Sequence, residues 1–586
     1  MPEVITNNLD LWTSALLTKS TAGRGSNGKQ EAYGIKKLRE LILELAVRGK
    51  LVPQDCNEEP GSVLLERIGK EKARLVKEGE IKKAKSLPDI DEDETPFSLP
   101  NGWRWSRLQD VSSYIQRGKG PRYADFGKVR VVSQKCIQWA GFDLTQARYV
   151  EDASLDGYQP ERFLRKDDLL WNSTGTGTAG RINVVPEVDP NSLVADSHVT
   201  IIRPLMVNSS FLSCYIAAPG IQQRIEPEHE NSLVSGTTNQ VELNLSAVLQ
   251  LVIPVPPLAE QHRIVAKVDE LMALCDQLEQ QQTDGIEAHQ TLVETLLGTL
   301  TSVASPQKLS EAWARIAGHF DTLFTTEKSI DQLKQTILQL AVMGKLVPQD
   351  SNDEPADVLV EKIATEKRRL AKEGLIKNQK ALPDVSDEEK AYGLPEGWIW
   401  TRLGNVGLGS TGKTPSTRKS ECYGGEVPFI GPGQITPAGE ILDSDKSLTE
   451  EGCEESTVTE QGDILMVCIG GSIGKSAIAY SRIAFNQQIN SIRPIFVSSE
   501  FLNYVVNTPQ FQASVLDKAT GSATPIINRS KWEELPVPIP PEAEQHRIVA
   551  KVDELMALCD TLRARLADAQ TTQIHLADAI VEQAVA

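Results

Sequence analysis

The sequence has no C-x-x-C pair among its eight cysteines, no apolar run approaching the length of a membrane helix, and no amino-terminal signal-peptide core, since 11–17 is short and interrupted by Thr13 and Ser14. These absences argue against a disulfide framework, a spanning segment and export. The expected setting is a reducing cytoplasm with free thiols. Basic charge is scarce as well. With 61 Lys and Arg against 80 Asp and Glu, a net charge of −19, the chain has no diffuse positive field with which to coat DNA. Any nucleic-acid contact must use local basic patches or charge supplied by a partner. Catalytic signatures are also missing. The seven histidines form no H-E-x-x-H, and no G-x-S-x-G elbow surrounds the hydroxyl run Ser173-Thr174-Gly175-Thr176-Gly177-Thr178. His262 and His546 read as surface or capping residues rather than metal ligands. The expectation is a binding module, with no catalytic residue and no metal or cofactor of its own.

What is present is repetition. The 586-residue chain, 40% of it apolar, is large enough for several cores. Eighteen residues, AEQHRIVAKVDELMALCD, occur at 259–276 and again, without a mismatch, at 543–560. GKLVPQD occurs at 49–55 and 344–350, and L-P-x-G-W-x-W at 99–105 and 394–400. Between these landmarks the halves have little in common. Each half opens with an amphipathic helix, with Ile35, Leu38, Ile42 and Leu45 matching Ile330, Leu333, Ile337 and Leu340 on one face. Gly49 and Gly344 stand where a helix closes. Charged, helical stretches are expected at 63–85 and 358–380. Each insert holds β-branched runs such as 129–132, 199–202 and 463–469, so a compact, mixed, strand-rich domain is expected. Proline-dense joints at 254–257 and 538–541 read as stiff exits. The resulting division is a helical repeat region (1–107), a first insert (108–253), a central helical region (254–402), a second insert (403–537) and a terminal repeated helix (538–586). The fold class is mixed α/β.

In the repeated block, Ile264, Val268, Leu271, Cys275 and Leu278 recur at heptad spacing, as do Ile548, Val552, Leu555, Cys559 and Leu562, with Leu566 extending the second copy. Such a seam packs a helix lengthwise. Its occupant is either the chain's own domain or an identical partner, the other copy or two copies of another protein, and identical outward residues favour an antiparallel coiled coil between the copies, pseudo-twofold. A helix over 257–282 would be ~38 Å long, close to the ~34–36 Å of one DNA turn.

With its P-P-x-A-E-Q-H-R-I-V blocks beginning at Pro256 and Pro540, its L-P-x-G-W-x-W blocks and its two inserts, the chain resembles the DNA specificity subunit of type I restriction-modification enzymes over nearly its whole length. Gly412-Lys413-Thr414-Pro415-Ser416-Thr417, Gly462-Asp463-Ile464-Leu465 and Asn486-Gln487-Gln488-Ile489 look like phrases of that family's recognition domains. Gly118-Lys119-Gly120-Pro121 and Asp168-Leu169-Leu170 are poorer counterparts in the first insert. The resemblance implies two target-recognition domains on double-stranded DNA, with the half-sites of a bipartite target about a turn apart. It also implies two modification subunits carrying S-adenosylmethionine, and restriction subunits using ATP and Mg2+. The Asn/Asp-Pro-Pro-Tyr/Phe motif of the adenine methyltransferases is absent, since Pro256-Pro257 is flanked by Val255 and Leu258, and Pro540-Pro541 by Ile539 and Glu542.

One motif points to another class. Gly407-Leu408-Gly409-Ser410-Thr411-Gly412-Lys413-Thr414 satisfies G-x-x-x-x-G-K-[ST], but Pro415 follows at once and no apolar helical face comes after it. A glycine-rich recognition loop is the favoured reading. By residue chemistry the densest DNA-contact candidates in the first insert are Gln116, Arg117, Lys119, Arg122, Lys128, Arg130, Gln134 and Lys135. In the second they are Lys413, Thr414, Ser416, Thr417, Arg418, Lys419, Gln434 and Lys475. A duplicated scaffold that recruits protein partners without reading bases remains the rival.

Overall fold

In the computed structural model, residues 3–586 are described apart from 20–28, 176, 238–239, 304–305, 378–381 and 522–523. The entry helices form where the apolar spacing places them, at Tyr33–Val47 and Glu327–Val342. Their matched faces are buried, and both end where Gly49 and Gly344 take φ of +68° and +65°. A Cβ at either glycine would also lie 2.6 or 2.5 Å from Pro100 or Pro395 of the L-P-x-G-W-x-W block. The charged helices run over Gly61–Lys77 and Ala356–Lys372. They are shorter than expected because Gly79 and Gly374, at φ +76° and +74°, close them; Lys380 lies outside the described residues.

The chain divides into two units, Met1–Gly285 with Ala569–Ala586, and Ile286–Asp568. In the first, Arg104–Arg107 pairs antiparallel with Val252–Val255 and closes the neck of the insert. The proline joint is therefore not a free spacer. Pro254 lies within this two-stranded ribbon, where an open edge tolerates its missing N–H. Beyond the neck an antiparallel sheet has the order Ile182–Val184, Leu169–Asn172, Val199–Pro204, Ser112–Arg117. A second sheet pairs Leu193–Ala195 in parallel with Arg130–Val132. In the second unit the neck is Ile399–Arg402 with Pro536–Ile539. The same antiparallel order returns as Ser476–Ile478, Ile464–Val467, Ile489–Pro494, Gly407–Thr411. Tyr423–Ile430 pairs in parallel with Ala484–Phe485.

Two inserts with little sequence in common thus share one topology. They also share an internal post. Buried Asp168 accepts twice from Arg203 at 2.7 Å, and Asp463 accepts from Arg493 at 2.9 and 3.1 Å.

The repeated blocks open the helices Leu258–Ser302 and Glu542–Val585, the first of which continues well past the expected stop at 282. Gly285 and Gly298 do not break the first, because its apolar spacing resumes with Val293, Leu297 and Leu300. In the first unit Ile264, Val268, Leu271 and Cys275 are buried and Leu278 partly so, in one core with Leu38, Leu41, Ile42, Trp103 and Phe211. The end of the other long helix adds Ala577, Ile580 and Val581. Arg39 pairs with Asp276 and Glu279, both at 2.7 Å, and Gln54 bonds Glu260 at 2.6 Å, so the entry helix runs antiparallel to its own long helix. Tyr33 reaches Asp578 at 2.8 Å and Arg48 the Val585 carbonyl at 3.1 Å, which sets the other long helix antiparallel to the first.

The second unit repeats this. Ile548, Val552 and Cys559 are buried, Leu555 and Leu562 partly so, against Leu333 and Ile337, with Val293, Leu297 and Leu300 from the end of the first long helix. The antiparallel association is present, but the content of the seam differs from expectation. Each identical block packs on its own half's entry helix rather than on the other block, and because the entry helices are themselves repeats, both copies meet the same partner.

Candidate nucleic-acid interface

Each insert is seated on the frame by the same contacts. Gln261 Oε1 accepts from the Asn208 main-chain N–H at 2.8 Å, where the helix Ser209–Ala217 begins, and Gln545 accepts from Ser498 at 2.8 Å ahead of Ser499–Val506. Three residues into each helix a phenylalanine meets a frame tryptophan edge-on: Phe211 with Trp103 and Phe501 with Trp398, centroids 6.0 and 6.1 Å apart.

One end of each antiparallel sheet gathers four loops. In the first domain the Gly118 N–H donates to the Val199 carbonyl at 2.8 Å and that of Lys119 to Ala195 at 3.0 Å. Asp196 donates to Val132 at 2.9 Å and Ser173 to His198 at 2.8 Å. In the second, Gly412 donates to Ile489 and Lys413 to Phe485, both at 3.0 Å, Asn486 to Ile430 at 3.1 Å and Cys468 to Gln488 at 2.8 Å. These matching bonds place Lys119 and Lys413 at equivalent positions. They also align Asp196-Ser197-His198 with Asn486-Gln487-Gln488. The outcome is a polar rim of amides, hydroxyls and cations on each domain.

The sequence candidates divide on this rim. Lys135, Lys413 and Arg418 are exposed, with side chains free of partners among the described residues. Gln116, Lys128, Ser416 and Thr417 are exposed too, and Arg122 is loosely paired with Glu151 at 3.9 Å. Lys119 reaches the Gly157 carbonyl at 3.3 Å and lies 5.2 Å over the Tyr158 ring. Lys475 donates to the Ile435 carbonyl at 3.2 Å and Thr414 to Gln487 at 2.7 Å. Others are engaged by the fold. Arg117 pairs with Glu242 and donates to the Leu243 carbonyl at 2.6 Å; Gln134 donates to Thr174; Gln434 Oε1 accepts from the Gly431 N–H at 3.0 Å. Arg130 sits on an inner strand with a long 3.5 Å bond to the Leu144 carbonyl. The Glu455 carboxylate beside Lys419 binds its ammonium and raises its pKa above the ordinary lysine value.

Residue-type counting missed the fourth loop, with Asp196, Ser197, His198 and their counterparts. It carries no cluster of cations, and a strand paired in parallel across the domain brings it to the rim. The Asn486-Gln487-Gln488 phrase was the available signal. In the first domain Tyr123 donates to Asp196 at 2.7 Å, and burial with this carboxylate pushes the phenol up to about 12.

The nucleotide-loop pattern has a different structure. Gly407–Thr411 is a strand paired with Ile489–Pro494, and a single 3-10 turn, Ser420–Cys422, comes next. Among the described residues no helix begins directly after Lys413 and Thr414, so the turn-then-helix that cradles a phosphate is not formed there. The expected glycine-rich loop is correspondingly shortened to 412–419. Gly412 is required by packing, since a Cβ there would lie 2.0 Å from the Asn486 carbonyl oxygen. In the hydroxyl run, Thr176 lies outside the described residues.

Two domains of one topology, each ending in a polar rim and each mounted on a repeated helical frame, define a two-module recognition protein. The family described as type I restriction modification DNA specificity domain matches residues 100–288 and 395–569. The specificity subunits of the type I restriction enzymes EcoAI and EcoEI of Escherichia coli are each 39% identical, over 605 and 597 aligned positions, covering 100% of this chain and 99% of the relative. The HsdS subunit of Thermoanaerobacter tengcongensis superposes with a TM-score of 0.42 at 19% identity, covering 84% of this chain and 98% of that one. The chain belongs to the type I restriction-modification DNA specificity family, in which it is a specificity subunit. No helix among the described residues is long and apolar enough to cross a membrane.

Proposed function

We propose that this subunit reads a bipartite, asymmetric DNA target in the cytoplasm, one half-site per recognition domain, and recruits two adenine methyltransferase subunits. Restriction subunits add ATP-dependent translocation and cleavage, and S-adenosylmethionine, ATP and Mg2+ are assigned to those partners. The observation that carries the reading is that equivalent rims hold different chemistry, Asp196-Ser197-His198 against Asn486-Gln487-Gln488, on one common fold. Amides, hydroxyls and imidazole suit base edges, and free cations such as Lys135, Lys413 and Arg418 suit phosphates. The partner count is supported by the repeated blocks. Packing on the entry helices accounts for their buried positions, yet His262, Asp269 and Glu270 are exposed and identical to exposed His546, Asp553 and Glu554. Two equal faces fit two copies of one partner.

Methylome sequencing of a host with and without this chain tests the reading. The expected result is a motif with two unlike half-sites separated by unread bases, lost when the chain is deleted. An unchanged methylome together with intact partner assembly would establish the protein-recruiting alternative.

A further inference from the structure

Behind the rim of the first domain the side chains form a directed chain of hydrogen bonds. Gln134 Nε2 donates to the Thr174 main-chain oxygen, which can only accept, so this atom is the amide nitrogen rather than the oxygen. Its second hydrogen points to Thr174 Oγ1 at 2.8 Å. The Thr174 hydroxyl accepts there, and the one acceptor for its own hydrogen among the described residues is His198 Nδ1, 2.8 Å away, so it is assigned as donor to that nitrogen. In the neutral ring Nδ1 then accepts and Nε2 carries the hydrogen, a tautomer assigned from the network. The backbone of His198 is pinned on both sides, its N–H to Asp196 Oδ1 at 3.2 Å and its carbonyl to the Ser173 N–H at 2.8 Å. The residue is exposed, and Nε2 has no partner among the described residues.

We propose that His198 is a specificity-determining residue of the first recognition domain, its Nε2–H donating to a purine acceptor, N7 or O6, on a base edge in the major groove. The proposal rests on the reading that the rim faces DNA. A donor whose tautomer and ring plane are set before DNA arrives discriminates acceptor edges from donor edges without first ordering a side chain. In the second domain the equivalent residue is Gln488, whose Oε1 accepts from Asn486 Nδ2 at 3.2 Å. A carboxamide offers a donor and an acceptor together, the pattern that suits adenine N7 and N6. One rim position thus asks for different base edges in the two domains, which gives the unlike half-sites a chemical origin.

The test uses the full chain assembled with its modification subunits. Methylomes are compared for wild type, His198→Gln, His198→Ala and Thr174→Val, with melting temperature and native mass spectra showing that each variant folds and assembles. His198→Gln should change the preferred base at one position of the first half-site, and His198→Ala should relax that position by roughly tenfold in discrimination. Thr174→Val, which keeps the ring but frees its tautomer, should relax the position less. The second half-site should stay as it is in all three. Lys119→Glu serves as the control for the underlying reading and should weaken binding of DNA of any sequence. If Lys119→Glu weakens binding while folded, assembled His198→Ala and His198→Gln complexes keep the wild-type motif, the assignment of His198 is overturned and the rim reading stands. If Lys119→Glu also leaves DNA binding unchanged, the rim reading itself is wrong.

Discussion

Glu260 and Glu544 explain why three short words recur in the chain. Each is almost wholly buried and accepts from an indole N–H, Trp103 at 3.0 Å or Trp398 at 2.9 Å, and from a carboxamide, Gln54 at 2.6 Å or Gln349 at 3.0 Å. The repeated A-E-Q, L-P-x-G-W and K-L-V-P-Q-D motifs meet at this node. Nothing in their spacing announces that meeting, because it joins residues 157 and 206 positions apart. Glu260→Ala should leave a buried indole N–H without an acceptor and cost about 1–3 kcal/mol, measured by urea unfolding, and Glu260→Gln should cost less. Burial raises both carboxyl pKa values, against the lowering effect of the two bonds. The folded chain therefore keeps these protons to higher pH than the unfolded chain. Their contribution to stability is full below the ordinary carboxyl range and is lost as pH rises through the folded value. The Glu260→Gln, Glu544→Gln double variant lacks this titration, so its melting temperature should gain on wild type between pH 4 and 7. On the rim, replacing Lys413, Arg418 and Lys419 together by alanine should weaken DNA binding by the assembled methyltransferase. It should also flatten the salt dependence by up to ~0.9 log unit for each phosphate no longer neutralised. Filter binding across a salt series reads both, and because Lys419 is already paired with Glu455, Lys419→Ala alone should do little.

At the scale of elements, legibility followed the range of the interaction. The entry helices could be read because a 3.6-residue period is a local property, and their closing glycines because a left-handed turn is local too. The seam of Ile264 to Leu278 showed that a helix packs lengthwise but not on what, since a heptad is equally compatible with any apolar neighbour. The choice between the other copy and the entry helix is made by contacts such as Arg39 with Asp276, which link distant segments. The parallel pairing of Leu193–Ala195 with Arg130–Val132 was invisible for the same reason, so the fourth loop could be noticed as the phrase Asn486-Gln487-Gln488 but not placed on the rim. The letters around Lys413 could be set aside already in the sequence, because G-x-x-x-x-G-K-T describes residue types whereas phosphate binding needs a backbone turn followed by a helix, and Pro415 with no apolar helical face after it argued against one. ATP calorimetry on the purified chain should accordingly show no binding, with Lys413→Ala indistinguishable from wild type.

For the whole molecule, the prediction concerns stoichiometry. One copy of this chain should assemble with two copies of the methyltransferase subunit, visible as the dominant species in native mass spectra of the co-expressed complex at saturating methyltransferase. A dominant one-to-one species would separate the exposed identity of His262, Asp269 and Glu270 with their counterparts from partner binding. Fold class, the strand-rich character of the inserts and the duplication were all legible in the chain, since each leaves a mark in composition, period or repetition. The common topology of the inserts was not, because it is held by main-chain pairing and by an arginine bound to one buried aspartate, which many sequences can supply.

The neck ribbons have a consequence for heredity. Each insert leaves the frame and returns to it on neighbouring strands, Arg104–Arg107 beside Val252–Val255 and Ile399–Arg402 beside Pro536–Ile539. Both seats use a main-chain N–H at a helix start and a phenylalanine three residues later. A crossover between two related genes within the repeated stretches would exchange a whole domain in one event and leave the seating on the frame intact. A lineage of such genes could acquire a new recognition sequence by recombination, without passing through intermediates that fold poorly.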